Sequence, residues 1–335
     1  MKLIKPSFSI IEQQAGLEGV YKQIERVGRV SHKSEDRITE NSAKTFVERM
    51  MKMKHLSTCE FGTVYLYIDY HNPSFGKIID KYNNNQYSKC IVDNVFPNKA
   101  HISSNYRVLV ENNWLDDLKY LCNPTEYHHK RYTVKFICDR GILAEFTRHR
   151  KFSFMAESSR YCNYSKGKFN NEITYICPCW LDYNKVQELT EIANKDNKEV
   201  YRMGHDESLS MEERRLCSFV YDMSNHEHGY LFQISAGWKP QEARAVLPNS
   251  LKTELVMTGF VDDWWGEYLV IDKSTGLIDQ RIHGKFYTEP NNIDTKKYRI
   301  VEKGFFPLRC NKGAHPQAQE LAVPLRETFI NQKIW

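Results

Sequence analysis

The sequence predicts an α+β fold, strands and helices intermixed without the doubly wound pattern of a dinucleotide-binding domain. Three observations carry this. Apolar residues recur at helical spacing near residue 41, β-branched and aromatic residues concentrate at 63–68 and 132–138, and no GxGxxG fingerprint follows a strand.

Residues 41–54 place Ala43, Phe46, Val47, Met50 and Met51 at the i, i+3, i+4 recurrence of an amphipathic helix. Segments 63–68 (TVYLYI) and 132–138 (YTVKFIC) have strand composition. The stretch between them, about 69–131, reads as an insertion with Asn83, Asn84 and Asn85 in a polar-aromatic mix. It exceeds an ordinary connection, so local structure is expected inside it. Asp139-Arg140-Gly141 is a turn signal, after which Ile142, Leu143 and Phe146 recur at helical spacing and lead into Arg148. From Lys239 a proline-led helix stops near Pro248, an apolar segment follows at 251–260, and 266–303 reads as a second insertion. No internal repeat, heptad run or low-complexity segment occurs, and one catalytic domain spanning 1–335 is expected.

The 335 residues are 41% hydrophobic and 27% charged, enough apolar content for a sizeable core. Forty-seven basic and 42 acidic side chains leave a net charge of +5, too slight for a protein that coats nucleic acid but compatible with an anionic ligand. The opening MKLIKPSFSI lacks a signal peptide's apolar stretch, and no segment approaches the roughly 20 apolar residues of a membrane span. A cytoplasmic protein is expected. Nine cysteines without framework spacing suit reduced thiols, and the one close pair, Cys177 and Cys179, lacks a second pair at zinc-finger spacing, so no metal is expected.

The strongest local signal is Arg148-His149-Arg150, followed after seven residues by Ser158 and then Arg160. Adjacent cationic groups repel one another and are tolerated where something anionic or electron-rich sits opposite. A lone RHR is more often a solvated basic turn. Here the polar run continues through Glu157, Ser158, Ser159, Arg160 and Tyr161, which together offer phosphate forks, hydroxyl donors and an aromatic face.

RHR, seven residues, Ser, one residue, Arg resembles the signature of flavin-dependent thymidylate synthases, a pattern expected by chance in a chain this long on the order of 10⁻⁴ of the time. The wording RHRKFSFMAESSRYCNYSKGKF is similar to the branch common in gut bacteria and their phages. Arg29-Val30-Ser31 resembles the family's early R-V-S element, and His55-Leu56-Ser57 with Glu60 its H-x-S/T-x-x-E element. Downstream, 243–248 (ARAVLP) resembles A-R-x-V-L-P and Phe306-Pro307-Leu308-Arg309 the terminal F-x-L-R. Each element alone is weak, but five in the family's order are not.

The resemblance implies an α+β fold with a curved mixed or antiparallel sheet ringed by helices, and a homotetramer whose active sites are shared between subunits. It implies FAD as cofactor, lined by Ser31, His55, Ser57, Arg148, His149 and Arg150. NADPH and methylenetetrahydrofolate would be co-substrates. The substrate dUMP would be held by Glu145, Arg148, Ser158, Arg160 and Arg244. Arg309 would sit by the pyrimidine to assist ionisation of N3, and Tyr161 with His55 would offer a face for the folate. Neighbouring cations favour a neutral His149, and no covalent attack on dUMP by Ser158 or Cys162 is expected. Five positions depart from the family. Met155-Ala156 stand where many members have Asn-Glu, with Glu157 one place later. Phe61 replaces a common histidine, and Phe260 and Gly304 fall where many members use asparagine toward FAD. Two other readings remain at this stage: a nucleotide-binding homologue that lost catalysis through the change at Met155-Ala156, and a basic RNA-binding module.

Overall fold

The structure is a computed structural model that describes residues 1–69, 71–93, 99–286 and 293–335. Parts of the two expected insertions, at 70, 94–98 and 287–292, lie outside the described residues.

Along the chain, Lys2–Ile4 forms strand β1, Ser7–Ile11 β2, Gly16–Gly28 helix α1, Ser42–Lys52 α2, Thr63–Asp69 β3 and Phe75–Asn83 α3. Then come β4 (Lys89–Val92), β5 (Lys99–Asn105), α4 (Tyr106–Glu111), β6 (Arg131–Asp139), α5 (Arg140–Phe146), β7 (Ser153–Ala156) and β8 (Thr174–Ile176). A helical stretch follows with α6 (Tyr183–Lys195), α7 (Asn197–Gly204), α8 (Met211–Ser235) and α9 (Pro240–Ala243). The chain ends with β9 (Lys252–Phe260), α10 (Val261–Trp265), β10 (Glu267–Asp272), β11 (Ile278–His283), β12 (Tyr298–Lys303), α11 (Phe305–Cys310) and α12 (Pro316–Asn331).

The strands pair as an antiparallel four-stranded sheet β2-β6-β9-β7, two antiparallel three-stranded sheets β3-β5-β4 and β11-β10-β12, and one parallel pair β1-β8. The larger sheets are thus antiparallel, the antiparallel form of the α+β fold expected, and the only parallel pairing among the described residues is the separate β1-β8 pair. The first insertion does have its own structure: β4 and β5 extend β3 into a sheet. The turn signal at 139–141 proves to be a helix start. Strand β6 runs to Asp139, whose Oδ1 accepts from Ile142 N at 2.7 Å and caps α5.

The central sheet is two-faced because side chains alternate along a strand. On one face Val134, Phe136 and Cys138 of β6, with Leu255 and Met257 of β9, pack on Phe146, Trp264, Trp265, Phe305 and helix α12. The other face carries Val256, which meets Ile11, Val27, Val30 and Phe61, and so docks α1 and the turn that follows it. The register sets Thr133 against Thr258, and their hydroxyls share a 2.7 Å hydrogen bond. This docking brings residue 31 beside the end of β7.

Candidate active site

The RHR turn follows from α5. Ile142 and Phe146 bury one side of that helix, and its end folds back so that His149 N donates to Phe146 O at 3.1 Å and Phe152 N to His149 O at 3.1 Å. The apolar ring faces of Phe152 and Phe305, 6.1 and 5.1 Å away, take the His149 imidazole inward, while Arg148 and Arg150 stay exposed.

Arg309 arrives from the other end of the chain. Phe305, Phe306 and Pro307 are buried and anchor α11, which turns Arg309 onto α5. Its Nε donates to His149 Nε2 at 2.9 Å, Nη1 to the Glu145 carboxylate at 2.8 Å and Nη2 to the Glu145 carbonyl at 2.7 Å. An accepting Nε2 places the imidazole proton on Nδ1. Burial and then the Arg309 charge pull the His149 pKa down to about 4, so the ring is neutral at physiological pH. Neutrality was expected from the adjacent arginines, but its causes are burial and a residue 160 positions away. Burial also lowers the Arg309 pKa; Glu145 opposes that shift and Arg148 adds to it.

Beside the turn opens a cleft of about 630 Å³ whose walls include Arg148, Arg150, Lys89, Lys303 and Gly304. Two acidic groups there have cations of their own: Asp262 meets Lys89 at 2.7 Å and His129 at 3.2 Å, and Asp263 meets Lys151 at 3.2 Å. Glu267 and Glu302 line it as well, Glu267 meeting Arg281 at 3.1 Å; Arg148 and Arg150 have no side-chain partner among the described residues, so the cleft presents two unpaired guanidinium groups. Gly304 explains its own departure from asparagine. Its φ is +93°, and a Cβ there would lie 2.4 Å from Gly266 Cα.

A second group gathers at the far end of β7. Ser158 N donates to Ser31 O at 3.0 Å, and Ser31 Oγ to Gly28 O at 3.0 Å. His32, not anticipated, stacks on Tyr161 with ring centroids 4.4 Å apart; burial and then the charge of nearby His55 lower its pKa. Its position directly after the R-V-S element was the available signal. Arg160 Nε donates to Gln241 Oε1 at 3.0 Å and its guanidinium lies 5.3 Å from the Tyr161 ring, while Arg244 Nη1 donates to Ser159 Oγ at 3.2 Å. His55 and Ser57 are exposed at the start of a short 3-10 turn. Arg29, by contrast, is buried: Nε and Nη2 fork onto Glu25 at 2.7 and 2.5 Å, and the group stacks on Phe46.

Glu157, the displaced glutamate, points inward. Its carboxylate accepts from Lys252 Nζ at 2.7 Å, and its backbone N donates to Glu254 O at 2.8 Å. Burial opposes ionisation of Glu254, yet Lys252, Lys33 and Lys135 hold its pKa down at about 2. Cys162 is buried too, and burial pushes its thiol up to about 12, so no thiolate is poised there.

The expected site residues thus fall into two groups. Glu145, Arg148, His149, Arg150 and Arg309 lie at one end of β7; Ser31, His55, Ser158, Arg160, Tyr161 and Arg244 lie at the other. The four-residue strand alone spans about 13 Å, and none of the second group lines the RHR cleft.

A family model described as Thy1, thymidylate synthase complementing protein, matches residues 97–266. That is half of the chain, and the protein belongs to this family. The match contains the RHR turn, Arg160 and Arg244 and leaves Ser31, His55, Ser57 and Arg309 outside. No curated protein matches the chain. Among solved structures the chain is similar to a UMP/dUMP methylase, PolB, from Streptomyces cacaoi, crystallised with 5-Br dUMP. That likeness has 11% identity over 99% of this chain and 93% of that one, with a TM-score of 0.36.

Proposed function

We propose that the protein is a flavin-dependent thymidylate synthase that methylates dUMP to dTMP, with methylenetetrahydrofolate as carbon donor and NADPH as reductant. It would act as one catalytic unit, 1–335, in a cytoplasmic homotetramer. The observation that carries this reading is the Arg309 fork, which joins the terminal F-x-L-R to the RHR turn and the α5 glutamate just before it, segments 160 and 164 positions away.

The residues present fit FAD. Two exposed arginines with no side-chain partner among the described residues flank a large cleft, a donor set suited to a pyrophosphate and a ring edge. Arg148, His149 and Arg150 would hold it, with Ser31, His55 and Ser57 from another subunit. Reduced FAD supplies the hydride for the methylene group. The protein's own work is orientation and charge.

Carbon 5 of uracil is a weak nucleophile until N3 loses its proton. A guanidinium about 4 Å from the ring contributes roughly 4 kcal/mol of attraction at an effective dielectric near 20, before desolvation. Arg309 keeps its charge at neutral pH, and Glu145 with neutral His149 fixes the plane of its fork. Because His149 is neutral, it adds no second cation and leaves the field at N3 to Arg309. Ser158, Arg160 and Arg244 would hold the phosphate and sugar. His149 Nε2 already accepts the Arg309 proton and so is not free to take one from Ser158, which supports catalysis without a covalent enzyme–pyrimidine bond.

The test is an absorption spectrum with a turnover assay. Flavin bands, NADPH oxidation and dTMP formation are expected. A protein that takes up no flavin after reconstitution with FAD would overturn the reading.

A further inference from the structure

A cleft of about 400 Å³ opens where the central sheet meets the β3-β5-β4 sheet, and it shares no lining residue with the cleft at the RHR turn. The segment after β2, the first residues of β3, residues 121–124 and residues 130–133 enclose it.

Arg131 is its most informative member. Nη1 donates to the Glu60 carbonyl at 3.1 Å and to Thr63 Oγ1 at 3.4 Å, and the group packs over Phe260 at 5.7 Å. These partners are all neutral. Nε and Nη2, the edge that forks onto a carboxylate, have no protein partner among the described residues. Arg29 in this same chain shows that edge in use, closed on Glu25. The carboxylates near Arg131 are committed elsewhere, Glu60 to Arg107 and Asp263 to Lys151. Burial pulls the Arg131 guanidinium down to about 10, with Tyr65, Glu60 and Asp263 opposing that shift.

The remaining lining fits an anion with an apolar body. Tyr65 Oη accepts from Arg131 N at 3.1 Å, which leaves its own proton to donate, and Lys130 stands beside it. Ile11, Val20, Leu121 and Pro124 supply apolar wall, and Glu12 is the one acidic residue in the lining. The rim is held by a reciprocal pair, Gln13 Nε2 to Thr63 O and Thr63 N to Gln13 Oε1, each 2.8 Å. Arg131 thus lines a preformed cleft with two donor nitrogens that no described residue uses, a donor set suited to recognising a carboxylate.

We propose that this cleft binds a small organic carboxylate, its carboxylate forked on Arg131 and its ring or alkyl body against Leu121 and Pro124. The proposal does not depend on the thymidylate reading, although Arg131 leans on Glu60 and Phe260, positions that the family resemblance links to FAD.

The test uses the full chain loaded with FAD, with benzoate as probe and inorganic phosphate as comparison. Calorimetry is expected to give benzoate a Kd of about 1 mM or tighter, with phosphate weaker because it matches the planar fork less well. Arg131→Gln should weaken benzoate by about tenfold or more, while Arg215→Ala, at an exposed position on α8 outside both clefts, leaves it unchanged. Equal binding by Arg131→Gln, or tighter binding of phosphate, overturns the proposal. Should Arg131→Gln fail to fold, amide shifts of the wild type decide: benzoate must move Tyr65, Leu121 and residues 130–133. Shifts confined to the RHR turn, or no shifts at all, overturn it equally.

Discussion

At the scale of single residues, the chemistry turns on which protons are held. Arg309 commits a proton from each nitrogen to Glu145 and His149, and the imidazole answers as an acceptor only because it is neutral. Arg309→Ala is therefore expected to abolish dTMP formation while NADPH still reduces the flavin, since Arg309 itself is not among the residues proposed to hold FAD. Equal loss in both half-reactions, read by stopped-flow absorbance, would assign the residue to folding or flavin binding instead. His128 offers a cleaner titration, away from the site. Its Nδ1 accepts from Thr125 N at 3.0 Å and its Nε2 faces Leu66 O at 3.2 Å, while burial pulls its pKa from 6.5 to about 4, with the Leu66 bond opposing and His101 adding. Between those values the unfolded chain binds a proton that the folded one refuses. Stability must then fall as pH falls through that window, by about 2 kcal/mol from pH 7.5 to 5 for this residue alone. Urea midpoints should show His128→Gln losing that share of the pH dependence, and an identical slope would remove His128 as its source. Of these groupings the sequence revealed the residue types but not the partners. The Arg309–Glu145 contact spans 164 positions, and neither periodicity nor composition reports on such a distance.

Among elements, strand β7 and its neighbour β9 decide where the site residues can go. Glu157 leaves β7 straight into a buried ion pair with Lys252, only 1% and 15% of the two side chains being exposed. Lys252→Ala should cost about 3–5 kcal/mol because it strands a buried carboxylate, whereas Lys252→Met with Glu157→Gln should cost far less. Denaturation midpoints of the single and double variants test this, and an equally destabilised double variant would show that packing governs. Gly304 fixes the other end of the site: with φ at +93° and backbone 2.4 Å from where a Cβ would be, Gly304→Ala should shift the β10–β12 sheet and weaken FAD retention along with stability. Retention and melting temperature both equal to wild type would contradict the close approach. How far such elements could be read in advance depended on their pattern. Strands β3 and β6 were legible from their β-branched and aromatic content and helix α2 from its apolar period, whereas the 25-residue α8 was not singled out. Its buried positions are interleaved with polar ones, and its one clear signal is the Ser210–Glu213 capping box.

For the whole molecule, the question is how two groups at opposite ends of β7 make one site. Within a protomer, Arg150 borders the RHR cleft, while Arg244 reaches Ser159 beyond the strand, and no residue of the Arg244 group lines that cleft. A ligand set divided in this way is completed most simply by symmetry, where one subunit presents its RHR cleft to another's Ser158–Arg160–Arg244 face. Large apolar side chains just upstream of Arg244, Phe232 at 72% and Trp238 at 50% exposure, are of the kind that a subunit contact covers. The arrangement predicts complementation. Arg150→Ala and Arg244→Ala should each be inactive as pure oligomers. If each site draws Arg150 from one protomer and Arg244 from another, unfolding and refolding a one-to-one mixture leaves about a quarter of the sites with both arginines intact. Activity near that fraction of wild type, in a species that light scattering identifies as a tetramer, is the expected result. A mixture as inactive as its components would place both arginines in the same protomer's site, and a fully active monomer would remove the shared site altogether.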